Sequence, residues 1–466
     1  MMQKENGKLN STVVLLKSSA TDASQISESE VRQMVRNAVE RTGGLSDIIK
    51  DGQSVVLKPN LVTPRVTPGT YHTMKMLITN PYKDKKHLFQ REVNGITTDW
   101  RITKAMVEIV REVNPSGKVY VMESSADGQS AKNFELMGYT HDNMPGVDAF
   151  ISLDETGDDF RSVDSSDLVG VDLGDKALYN KLPGFLKNKY YFDKTYYNAD
   201  VIISLPCLKN HFMAATTGGI KNVAIGAMPG KIYGLFKNNI NRVMTIDHQW
   251  DPINKFIHDF YVAKPAHFVL TDGLQGSAYG PHGIGAPSTE APKMNMRLLL
   301  ASKDPVACDS IHACIIGVDP AKVDYLTYVQ KDCGGVMDTS RITVVGNARV
   351  DEVKKRFPFP KGLFGFVYKE PPKKRYTDYD APELSIDNIS VIENQLLVKL
   401  RTDSKTNKIE MHIDGKRVKT FTHGFDQLQF SLNGNMLESV NDITFYAYDK
   451  FLNCGFKKVT AETLTL

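Results

Sequence analysis

The sequence predicts an α/β protein, with a mostly parallel sheet core that carries helices on both faces and a C-terminal antiparallel β-sandwich after it. Two observations support this fold class. Along residues 12–345, short apolar runs alternate with amphipathic stretches of helical period, an order that favours parallel strands joined by helices. From residue 384 onward only short runs of alternating polarity remain, and these are typical of antiparallel strands.

The elements of the first part follow one another in the order strand, helix, strand, helix, strand. Thr12 to Leu16 is the first apolar run, and Ser27-Glu28-Ser29-Glu30 matches a capping box at the start of an amphipathic helix. Val55 to Lys58 predicts the second strand, and apolar positions between Ile102 and Val113 share one helical face. Further strand-like runs lie at 118–122, 201–205, 268–271, 298–301 and 342–345, and helical patterns lie at 310–316 and 323–329.

Changes in composition define the expected domain boundaries. We predict an α/β domain at 1–368, a charged linker with several prolines at 369–383, and a β-sandwich of immunoglobulin-like or fibronectin-like size at 384–466. Asp414-Gly415 supplies a hairpin turn within the sandwich. A module of this kind either stabilises the chain or docks to a protein partner, a carbohydrate or a cell surface.

Composition excludes several classes of function. Lysine and arginine (57) almost balance aspartate and glutamate (54), so the net charge of +3 gives no basic footprint for nucleic acid. No apolar run approaches the roughly 18 residues that a membrane span needs. The five cysteines are scattered without a CxxC pair, which argues against a disulfide framework, a zinc ribbon and a cysteine-ligated iron–sulfur cluster.

Familiar targeting and catalytic motifs are also missing. Lys4 and Lys8 precede only a short apolar run, so the chain as written is expected to be cytoplasmic, and extracytoplasmic if an export signal has been removed. No GxGxxG follows the first strand, and GxxxxGK[ST], HExxH and GxSxG do not occur. Interpretations as a Rossmann dehydrogenase, a P-loop ATPase, a zincin protease or a serine hydrolase are therefore unsupported.

The densest group of chemically capable residues follows one of the apolar strands. Lys209 and His211 lie just past its carboxyl end, where open α/β sheets place their ligand sites. Thr217 and two glycines come next, and the amides and hydroxyl of such a turn suit an anionic oxygen. Lys221 adds a cation or an amine nucleophile, and Asn222 adds a neutral hydrogen-bonding arm. His211 can act as a general acid or base, or as a metal ligand, because imidazole titrates near neutrality.

Each of these side chains taken alone also fits a plain structural role, such as a hydrogen bond to a loop carbonyl, and only their clustering favours a site. Other strand ends add to the expected surface. Thr98 precedes a helix, where it holds an anion or where Thr98 or Asp99 serves as the N-cap. We predict catalytic roles for His211 and Lys221. The predicted substrate-binding residues are Lys58, Asn60, Thr98, Lys209, Thr217 and Asn222.

A metal site is expected from nitrogen and oxygen donors that lie far apart in the sequence. His211, His248 and Asp272 form a suitable ligand set for a divalent transition metal. Their spacing matches no zinc signature, so the residues alone do not identify the metal.

These residues resemble the family catalogued as domain of unknown function 362, from about Val55 to Gly346. Many relatives carry ferredoxin-type cysteine clusters and are described as iron–sulfur proteins. This chain lacks those cysteines and ends in a predicted β-sandwich, so the resemblance implies no redox role for it. The matching segments are Val56 to Leu61, Thr97 to Asp99, Ala199 to Ile203, Leu208 to His211, Thr217 with Lys221-Asn222, Asp272-Gly273, Gly280-Pro281, Asp304 to Ala307, Gly317 to Pro320 and Ile342 to Gly346.

A second similarity is to the nickel-pincer lactate racemase family, in which a lysine lies ten residues after a histidine. Lys221 lies ten residues after His211 here. This similarity implies that His211 is an acid/base, that Lys221 anchors a cofactor or substrate, and that His248 is a metal ligand. The expected metal is nickel or iron.

Two functions from different classes fit these observations. The first is a metal-assisted enzyme, isomerase- or racemase-like or an oxidoreductase, that moves a proton or a hydride on a small anionic substrate such as a hydroxy acid or sugar acid. The second is a non-catalytic protein that holds a ligand or metal in its α/β core and docks to a partner or cell surface through its sandwich.

Overall fold

The computed structural model describes residues 3–5, 8–62, 94–126, 128–154, 161–234, 245–247, 250–281, 286, 290–359, 376–392, 395–431 and 440–460. The chain divides into two compact units. The first comprises residues 1–337, 342–349 and 353–376, and the second comprises residues 338–341, 350–352 and 377–466. The domain boundaries expected at 368 and 384 stay predictions, and residues 369–375 of the expected linker lie outside the described residues.

One large mixed sheet forms the centre of the first unit, and a separate antiparallel pair lies apart from it. The strands of this unit are β1 (Gln3–Glu5), β2 (Lys8–Lys17), β3 (Ser54–Pro59), β4 (Lys118–Glu123), β5 (Ala149–Ser152), β6 (Leu168–Val171), β7 (Tyr190–Asp193), β8 (Val201–Leu205), β9 (Cys207–His211), β10 (Ala215–Thr216), β11 (Phe268–Ser277), β12 (Leu298–Ser302) and β13 (Ile342–Gly346).

The large sheet has the strand order β1-β2-β12-β11-β8-β3-β4-β5. From β11 through β8, β3 and β4 to β5, every pair is parallel, whereas β12 is antiparallel to both β11 and β2. β13 pairs parallel with β2, β9 pairs with β11 and β10, and β6 pairs with β7 outside this sheet. The predicted mostly parallel core is thus confirmed.

Helices cover both faces of the sheet, which explains why β8 and β11 are buried along their whole length. The two long helices α1 and α2 pack together, and an apolar cluster fills the space between them and the strands. The helices are α1 (Glu28–Arg41), α2 (Trp100–Val113), α3 (Ser130–Leu136), α4 (Lys194–Asn198), α5 (Gly219–Ile225), α6 (Gly230–Tyr233), α7 (Trp250–Ala263), α8 (Pro305–Ile315), α9 (Asp324–Cys333) and α10 (Val350–Val353).

Shorter 3-10 turns lie at Ala23–Gln25, Gly174–Lys176, Gly184–Leu186, Pro320–Lys322 and Thr339–Arg341. Within the described ranges, no helix combines the length and the apolar character that crossing a bilayer requires.

The start of α1 differs in one detail from the expected capping box. Ser27 is the N-cap, and its hydroxyl accepts the N–H of Glu30 at 3.2 Å. The Glu30 carboxylate, however, accepts a hydrogen bond from the Ser18 hydroxyl at 2.5 Å instead of closing the box. A tertiary partner has replaced the local one, so Glu30 ties α1 to the end of β2.

The second unit contains two antiparallel sheets, as predicted for a β-sandwich. One sheet has the order β14-β15-β18 and the other β17-β16-β19-β20, where the labels continue along the chain. Apolar side chains from both sheets form one core, led by Leu396, Ile409, Ile443 and Phe445. The strands are β14 (Leu384–Ile392), β15 (Gln395–Thr402), β16 (Lys408–Ile413), β17 (Lys416–Phe421), β18 (Gln427–Ser431), β19 (Asp442–Tyr448) and β20 (Cys454–Thr460).

Candidate active site at the carboxyl edge of the central strands

The carboxyl ends of β3, β4 and β8 lie at the same edge of the sheet, because these strands are parallel. Pro206 separates β8 from β9, and β9 continues beyond this edge beside β11. A tight hairpin then joins β9 to β10, with His211 opposite Ala215 and Asn210 opposite Thr216. The predicted site residues therefore start from one edge, as expected for an open α/β sheet.

Lys58, near the end of β3, forms a buried ion pair. Its Nζ lies 2.9 Å from Glu123 Oε2 at the end of β4, and it also donates to the carbonyl oxygen of Pro59 at 2.7 Å. Glu123 accepts the backbone N–H groups of Leu61 and Ser124 as well. The two charged side chains are 0% and 2% exposed. The charge of Lys58 is thus balanced by the protein itself.

Lys209 is equally buried, yet its ammonium contacts no carboxylate among the described residues. Nζ donates to Asn60 Oδ1 at 2.9 Å and to the carbonyl oxygen of Ile96 at 2.7 Å, and both acceptors are neutral. Burial lowers the pKa of Lys209 from 10.5 to about 8. At neutral pH this side chain is a buried cation without a counter-ion in contact.

Asn60 connects Lys209 to the neighbouring segments. Its Nδ2 donates to Asn222 Oδ1 at 3.1 Å, while the amide of Asn222 donates to the Lys58 carbonyl oxygen at 2.9 Å and to Ser204 Oγ at 3.1 Å. These side chains are all buried. Four of the predicted binding residues thus belong to one hydrogen-bonded network, which fixes their relative positions.

The hydroxyl of Thr98 connects two strands of this edge. Oγ1 accepts the N–H of Asn60 at 2.8 Å and donates to the carbonyl oxygen of Leu205 at 2.6 Å. The next residue, Asp99, is the N-cap of α2 and accepts the N–H of Arg101. The hydroxyl proton of Thr98 is already donated to the Leu205 carbonyl oxygen. In this structure Thr98 therefore links the carboxyl ends of β3 and β8 through hydrogen bonds.

His211 lies at the tip of the hairpin between β9 and β10. Its Nδ1 accepts the backbone N–H groups of Met213 and Ala214, both at 3.2 Å. Phe212 stacks on the imidazole, with ring centroids 5.2 Å apart. The hairpin closes through Ala215, whose φ of 64° is left-handed and strained for a residue with a Cβ. His211 is therefore held in one orientation by its own turn.

Lys209, His211 and Thr217 share one face of this hairpin. Lys209 and His211 are two residues apart on β9, so their side chains leave the strand on the same side, about 7 Å apart along it. Thr217 lies one register step beyond the Asn210–Thr216 pair, and its N–H donates to the Lys209 carbonyl oxygen at 3.0 Å. Antiparallel partners point to the same face.

The Thr217 hydroxyl is the unusual member of this group. Thr217 is 2% exposed, and within the described structure its Oγ1 has no hydrogen-bond partner. Buried hydroxyls are normally paired, since an unpaired one costs about 1–3 kcal/mol. The unpaired hydroxyl of Thr217 lies beside the peptide of Lys209, whose ammonium has no carboxylate in contact among the described residues.

The turn amides that the sequence favours for anion binding are already occupied. Asp309 on α8 accepts the N–H of Gly219 at 2.7 Å and that of Ile220 at 3.2 Å, at the start of α5. A Cβ on Gly218 would overlap the Asp309 carboxyl group, which explains the glycine there. The expectation of an external anion at this turn is therefore corrected: an internal carboxylate takes its place.

Asp309 is fully buried and has no cationic partner among the described residues, and burial raises its pKa to about 7. The hydroxyl of Tyr325 lies 3.5 Å from its Oδ2 and 2.6 Å from Thr216 Oγ1. The carboxylate thus orients the first turn of α5, which carries Lys221 and Asn222.

Lys221, His211 and Asn60 are the predicted residues that retain some contact with solvent, with exposures of 7%, 5% and 8%. Lys58 and Lys209 are 0% exposed and lie deeper. The site thus consists of buried polar side chains, and these three, called the rim below, keep the largest exposed fractions among the predicted residues that the structure describes.

The predicted metal ligands do not meet within the described residues. The sheet register places Asp272 beside Cys207, four residues before His211, which corresponds to about 13 Å along the strand. Both Asp272 oxygens accept backbone N–H groups, from Asp99 and Leu274. His248 lies outside the described residues, and the described ones contain no group of three or more His, Cys, Asp and Glu side chains suited to a metal.

Asp272 and His211 therefore lie too far apart along the strands to share one metal ion, and the role predicted for His248 stays a prediction.

Comparison with known families identifies the main part of the first unit. The model of the family described as Domain of unknown function (DUF362) matches residues 85–314. Over this segment the chain resembles the DUF362 family. The resemblance drawn from the strand-end motifs is confirmed, and the matched DUF362 segment contains Thr98, Lys209, His211, Thr217 and Lys221.

Two individual proteins are similar to the chain that carries this DUF362 segment. The thylakoid-associated protein sll1697 of Synechocystis sp. is 26% identical over 312 residues, which cover 67% of this chain and 76% of the relative. The lactate racemase apoprotein of Thermoanaerobacterium thermosaccharolyticum matches in structure with a TM-score of 0.32 and 15% identity. That match covers 62% of this chain and 56% of the racemase, so the chain spans little more than half of the racemase's length.

Some residues around the DUF362 site were not predicted. His312 on α8 lies against the carbonyl oxygen of Lys209 through Nε2 at 3.2 Å, and burial lowers its pKa to about 4, so it is neutral. Ser204 receives the Asn222 amide and donates to the Gly219 carbonyl oxygen. Polar residues inside otherwise apolar runs were the available signal, since folding tolerates them there only when they are paired.

Proposed function

We propose that this protein is an enzyme that moves a proton on a small anionic substrate, bound at the carboxyl edge of β3, β8 and β9. The substrate class that fits best is a hydroxy acid or sugar acid. Lys209 binds the anionic group, Asn60 and Thr217 complete its hydrogen bonds, His211 is the acid–base residue, and Lys221 anchors the substrate from the rim.

One observation carries this proposal: a buried ammonium, an imidazole and an unpaired hydroxyl share one face of the β9–β10 hairpin. The ammonium of Lys209 has neutral oxygens as its hydrogen-bond partners, so an incoming carboxylate would be its first counter-ion in contact. The low exposure of the surroundings strengthens that attraction, because charges interact more strongly away from water.

The spacing along the hairpin sets the size of the substrate. Side chains of Lys209 and His211 leave β9 about 7 Å apart. A molecule with two to four carbons bridges this distance, with its carboxylate at Lys209 and the neighbouring carbon and oxygen at His211. Lys58 does not take part directly, because Glu123 already balances its charge.

Solvent exchange tests the proposal. The full chain is incubated in D2O with glycolate, lactate or glycerate, and loss of the proton on the carbon next to the carboxylate is followed by NMR. We expect exchange with at least one acid, and a decrease of about 100-fold or more in His211→Gln, since general acid–base catalysis contributes factors of that size. The exposed His141 provides the matched control, His141→Gln, which should exchange at the wild-type rate.

Two results would overturn this assignment. If the acids bind but none exchanges, the α/β core belongs to a non-catalytic binding protein. If His211→Gln, shown by circular dichroism to be folded, exchanges as fast as the His141→Gln control, the reaction uses another residue.

The metal-assisted form of the reaction, with nickel or iron, stays a prediction. Elemental analysis of protein purified without added metal tests it. A near-stoichiometric transition metal that is lost in His211→Ala would support that form, and metal-free protein with full exchange activity would contradict it.

A further inference from the structure

We infer that His312 is a positioning residue of the candidate site. From α8 it donates a hydrogen bond to the carbonyl oxygen of Lys209, and this contact fixes the backbone from which the Lys209 ammonium reaches the substrate carboxylate. The inference rests on the proposed function, because it takes Lys209 as the residue that binds the anionic group. It adds a residue that the sequence patterns did not indicate.

The carbonyl oxygen of Lys209 receives hydrogen bonds from two different elements. The N–H of Thr217, just after β10, lies 3.0 Å from this oxygen, and Nε2 of His312 lies 3.2 Å from it. A carbonyl oxygen can only accept, so Nε2 of His312 carries the proton in this contact. The two donors use both lone pairs of the oxygen. The peptide of Lys209 is therefore fixed between the hairpin and α8.

His312 makes this contact as a neutral side chain. It is 0% exposed, and burial lowers its pKa to about 4, with the positive charge of Lys209 acting in the same direction. A neutral imidazole carries one proton, and the acceptor that faces Nε2 places this proton there. At neutral pH Nδ1 of His312 is therefore unprotonated.

Packing alone does not account for a histidine in this place. Nδ1 of His312 is buried and has no hydrogen-bond partner among the described residues. A buried acceptor without a partner lowers the stability of the fold, and a leucine would avoid this loss. Ile311, Ala313 and Ile315, beside it on α8, are apolar and equally buried. The property that a leucine lacks is the Nε2–H donor for the Lys209 carbonyl oxygen.

The neutrality of this donor also suits the site. A lysine or arginine in place of His312 could donate to the same carbonyl oxygen, but it would bring a second positive charge beside Lys209. Like charges at short distance disfavour the charged form of each other. The imidazole supplies the hydrogen bond without adding a charge.

Both ends of Lys209 are held by these contacts. Its ammonium donates to Asn60 Oδ1 at 2.9 Å and to the Ile96 carbonyl oxygen at 2.7 Å. Its backbone carbonyl is held by His312 and Thr217. A carboxylate meets an ammonium at about 2.7–2.9 Å, so a shift of the β9 backbone by about 1 Å would take the ammonium out of this range.

Calorimetric titration of lactate and glycerate into variants of the full chain tests the positioning role. His312→Leu removes the donor, and we expect an affinity about tenfold or more below that of the wild type, because the Lys209 peptide loses one of its two hydrogen bonds. His312→Gln restores an N–H donor in the side chain, so its affinity should stay within about threefold of the wild type.

His267→Leu provides the matched control. Nδ1 of His267 accepts the N–H of Ile202 at 3.1 Å, near the amino end of β8, so this variant also loses a hydrogen bond between a histidine and the backbone. Because this contact lies at the opposite end of the strand from the site, the control should bind both acids as the wild type does.

Two results would overturn this inference and leave the proposed function standing. In the first, His312→Leu, shown by circular dichroism to be folded, binds with the affinity of the wild type. In the second, the Leu and Gln variants lose affinity equally while the His267→Leu control does not, which would assign His312 a packing role. Absence of binding to the wild type would instead overturn the proposed function, and this inference with it.

Nitrogen-15 NMR of the full chain with labelled histidine tests the contact itself without any ligand. The His312 signals are identified by their loss in His312→Gln and in His312→Leu. At pH 7 we expect a protonated Nε2 and an unprotonated Nδ1. A proton on Nδ1 at this pH would overturn the neutral donor whether or not the protein binds the acids.

Discussion

Lys58 and Lys209 form an instructive pair, because both are fully buried lysines at the same edge of the sheet. Lys58 contacts the carboxylate of Glu123 at 2.9 Å, and the pair connects β3 with β4. Among the described residues, the Nζ of Lys209 contacts the neutral oxygens of Asn60 and Ile96 and no carboxylate. The protein has therefore completed the electrostatic environment of the first lysine and left that of the second incomplete.

This difference separates a structural charge from a functional one. In a buried ion pair each charge already interacts with the other, so neither charge is available to bind a ligand. A buried cation without a partner lowers the stability of the fold, and a bound ligand of opposite charge offsets this cost. The comparison predicts that removing Lys58 harms mainly stability and that removing Lys209 harms mainly binding.

The largest change in stability is expected for Lys58→Met. The substitution leaves the carboxylate of Glu123 buried without its cation, which costs about 3–5 kcal/mol. Urea unfolding followed by circular dichroism measures the change. The double variant Lys58→Met with Glu123→Gln should recover part of the loss, and a loss below about 1 kcal/mol in the single variant would show that the pair is not the structural one.

For Lys209→Met we expect a smaller loss of stability, at most about 3 kcal/mol, because two effects oppose each other. Burial of the ammonium costs about 3 kcal/mol, as the shift of its pKa from 10.5 to about 8 indicates. Its removal leaves the oxygens of Asn60 and Ile96 unpaired, which costs about 1–3 kcal/mol each.

The pH dependence of stability separates the contribution of Lys209 from others. The lowered pKa means that the unfolded chain binds more protons than the folded chain between about pH 8 and 10.5. The contribution of Lys209 to the free energy of unfolding of the wild type should therefore increase as the pH rises from about 8 to 10.5. Lys209→Met should lack that contribution, and urea unfolding at pH 7, 8, 9 and 10 measures it.

Asp309 extends the comparison of the two buried lysines to a buried group of negative charge. It is a buried carboxylate without a cation, yet the amides of Gly219 and Ile220 satisfy its oxygens, so we assign it a positioning role. In Asp309→Asn the side-chain NH2 faces one of these N–H groups, and we expect a loss of about 1–2 kcal/mol. Hydrogen exchange at Gly219 and Ile220 should accelerate, and unchanged protection would contradict this role.

Asp309 also gives a pH signature. Its pKa is raised to about 7 in the folded state, so the folded chain binds more protons than the unfolded chain between about pH 4 and 7. The free energy of unfolding should lose a contribution from this group as the pH rises through that window. The Asn variant should not show this component.

The smallest expected effect is that of Ala215→Gly, in the turn that holds His211. Glycine adopts the left-handed φ of 64° without strain, so we expect a gain in stability of less than about 1 kcal/mol. The His211 side chain should also become less strictly oriented. A loss of stability greater than about 1 kcal/mol would show that the methyl group contributes packing there.

Much of the fold could be predicted because local and tertiary preferences agree. The strands β3, β4, β8 and β11 each contain an apolar run, and the helices α1 and α2 each bury one apolar face. Strand β14 was not predicted, because its register shifts between Ile386 and Asn388 and the alternation of apolar residues changes phase there. The alternate positions therefore do not continue as one pattern along the sequence.

The candidate site was predictable in its residue types but not in its connections. Strand ends correctly pointed to Lys58, Asn60, Lys209 and Asn222 as members of one cluster. Nothing in the local sequence shows that Glu123 pairs with Lys58 and not with Lys209, because that choice depends on side-chain geometry across parallel strands.

Tertiary contacts likewise determine which group binds the backbone amides of the glycine turn after Thr217. The turn has the composition of an anion-binding loop, but Asp309, which lies about ninety residues later, occupies its amides.

The most direct test of a functional Lys209 is the pH dependence of anion binding. Calorimetric titration of lactate and glycerate into the wild type, Lys209→Met and the exposed-lysine control Lys194→Met would be made at pH 7 and at pH 9.5. We predict binding to the wild type and the control at pH 7, and a decrease of about tenfold or more at pH 9.5 as Lys209, with a pKa of about 8, loses its proton. Lys209→Met should not bind at either pH. Equal affinity of folded Lys209→Met and the wild type would contradict the assignment of the anion site.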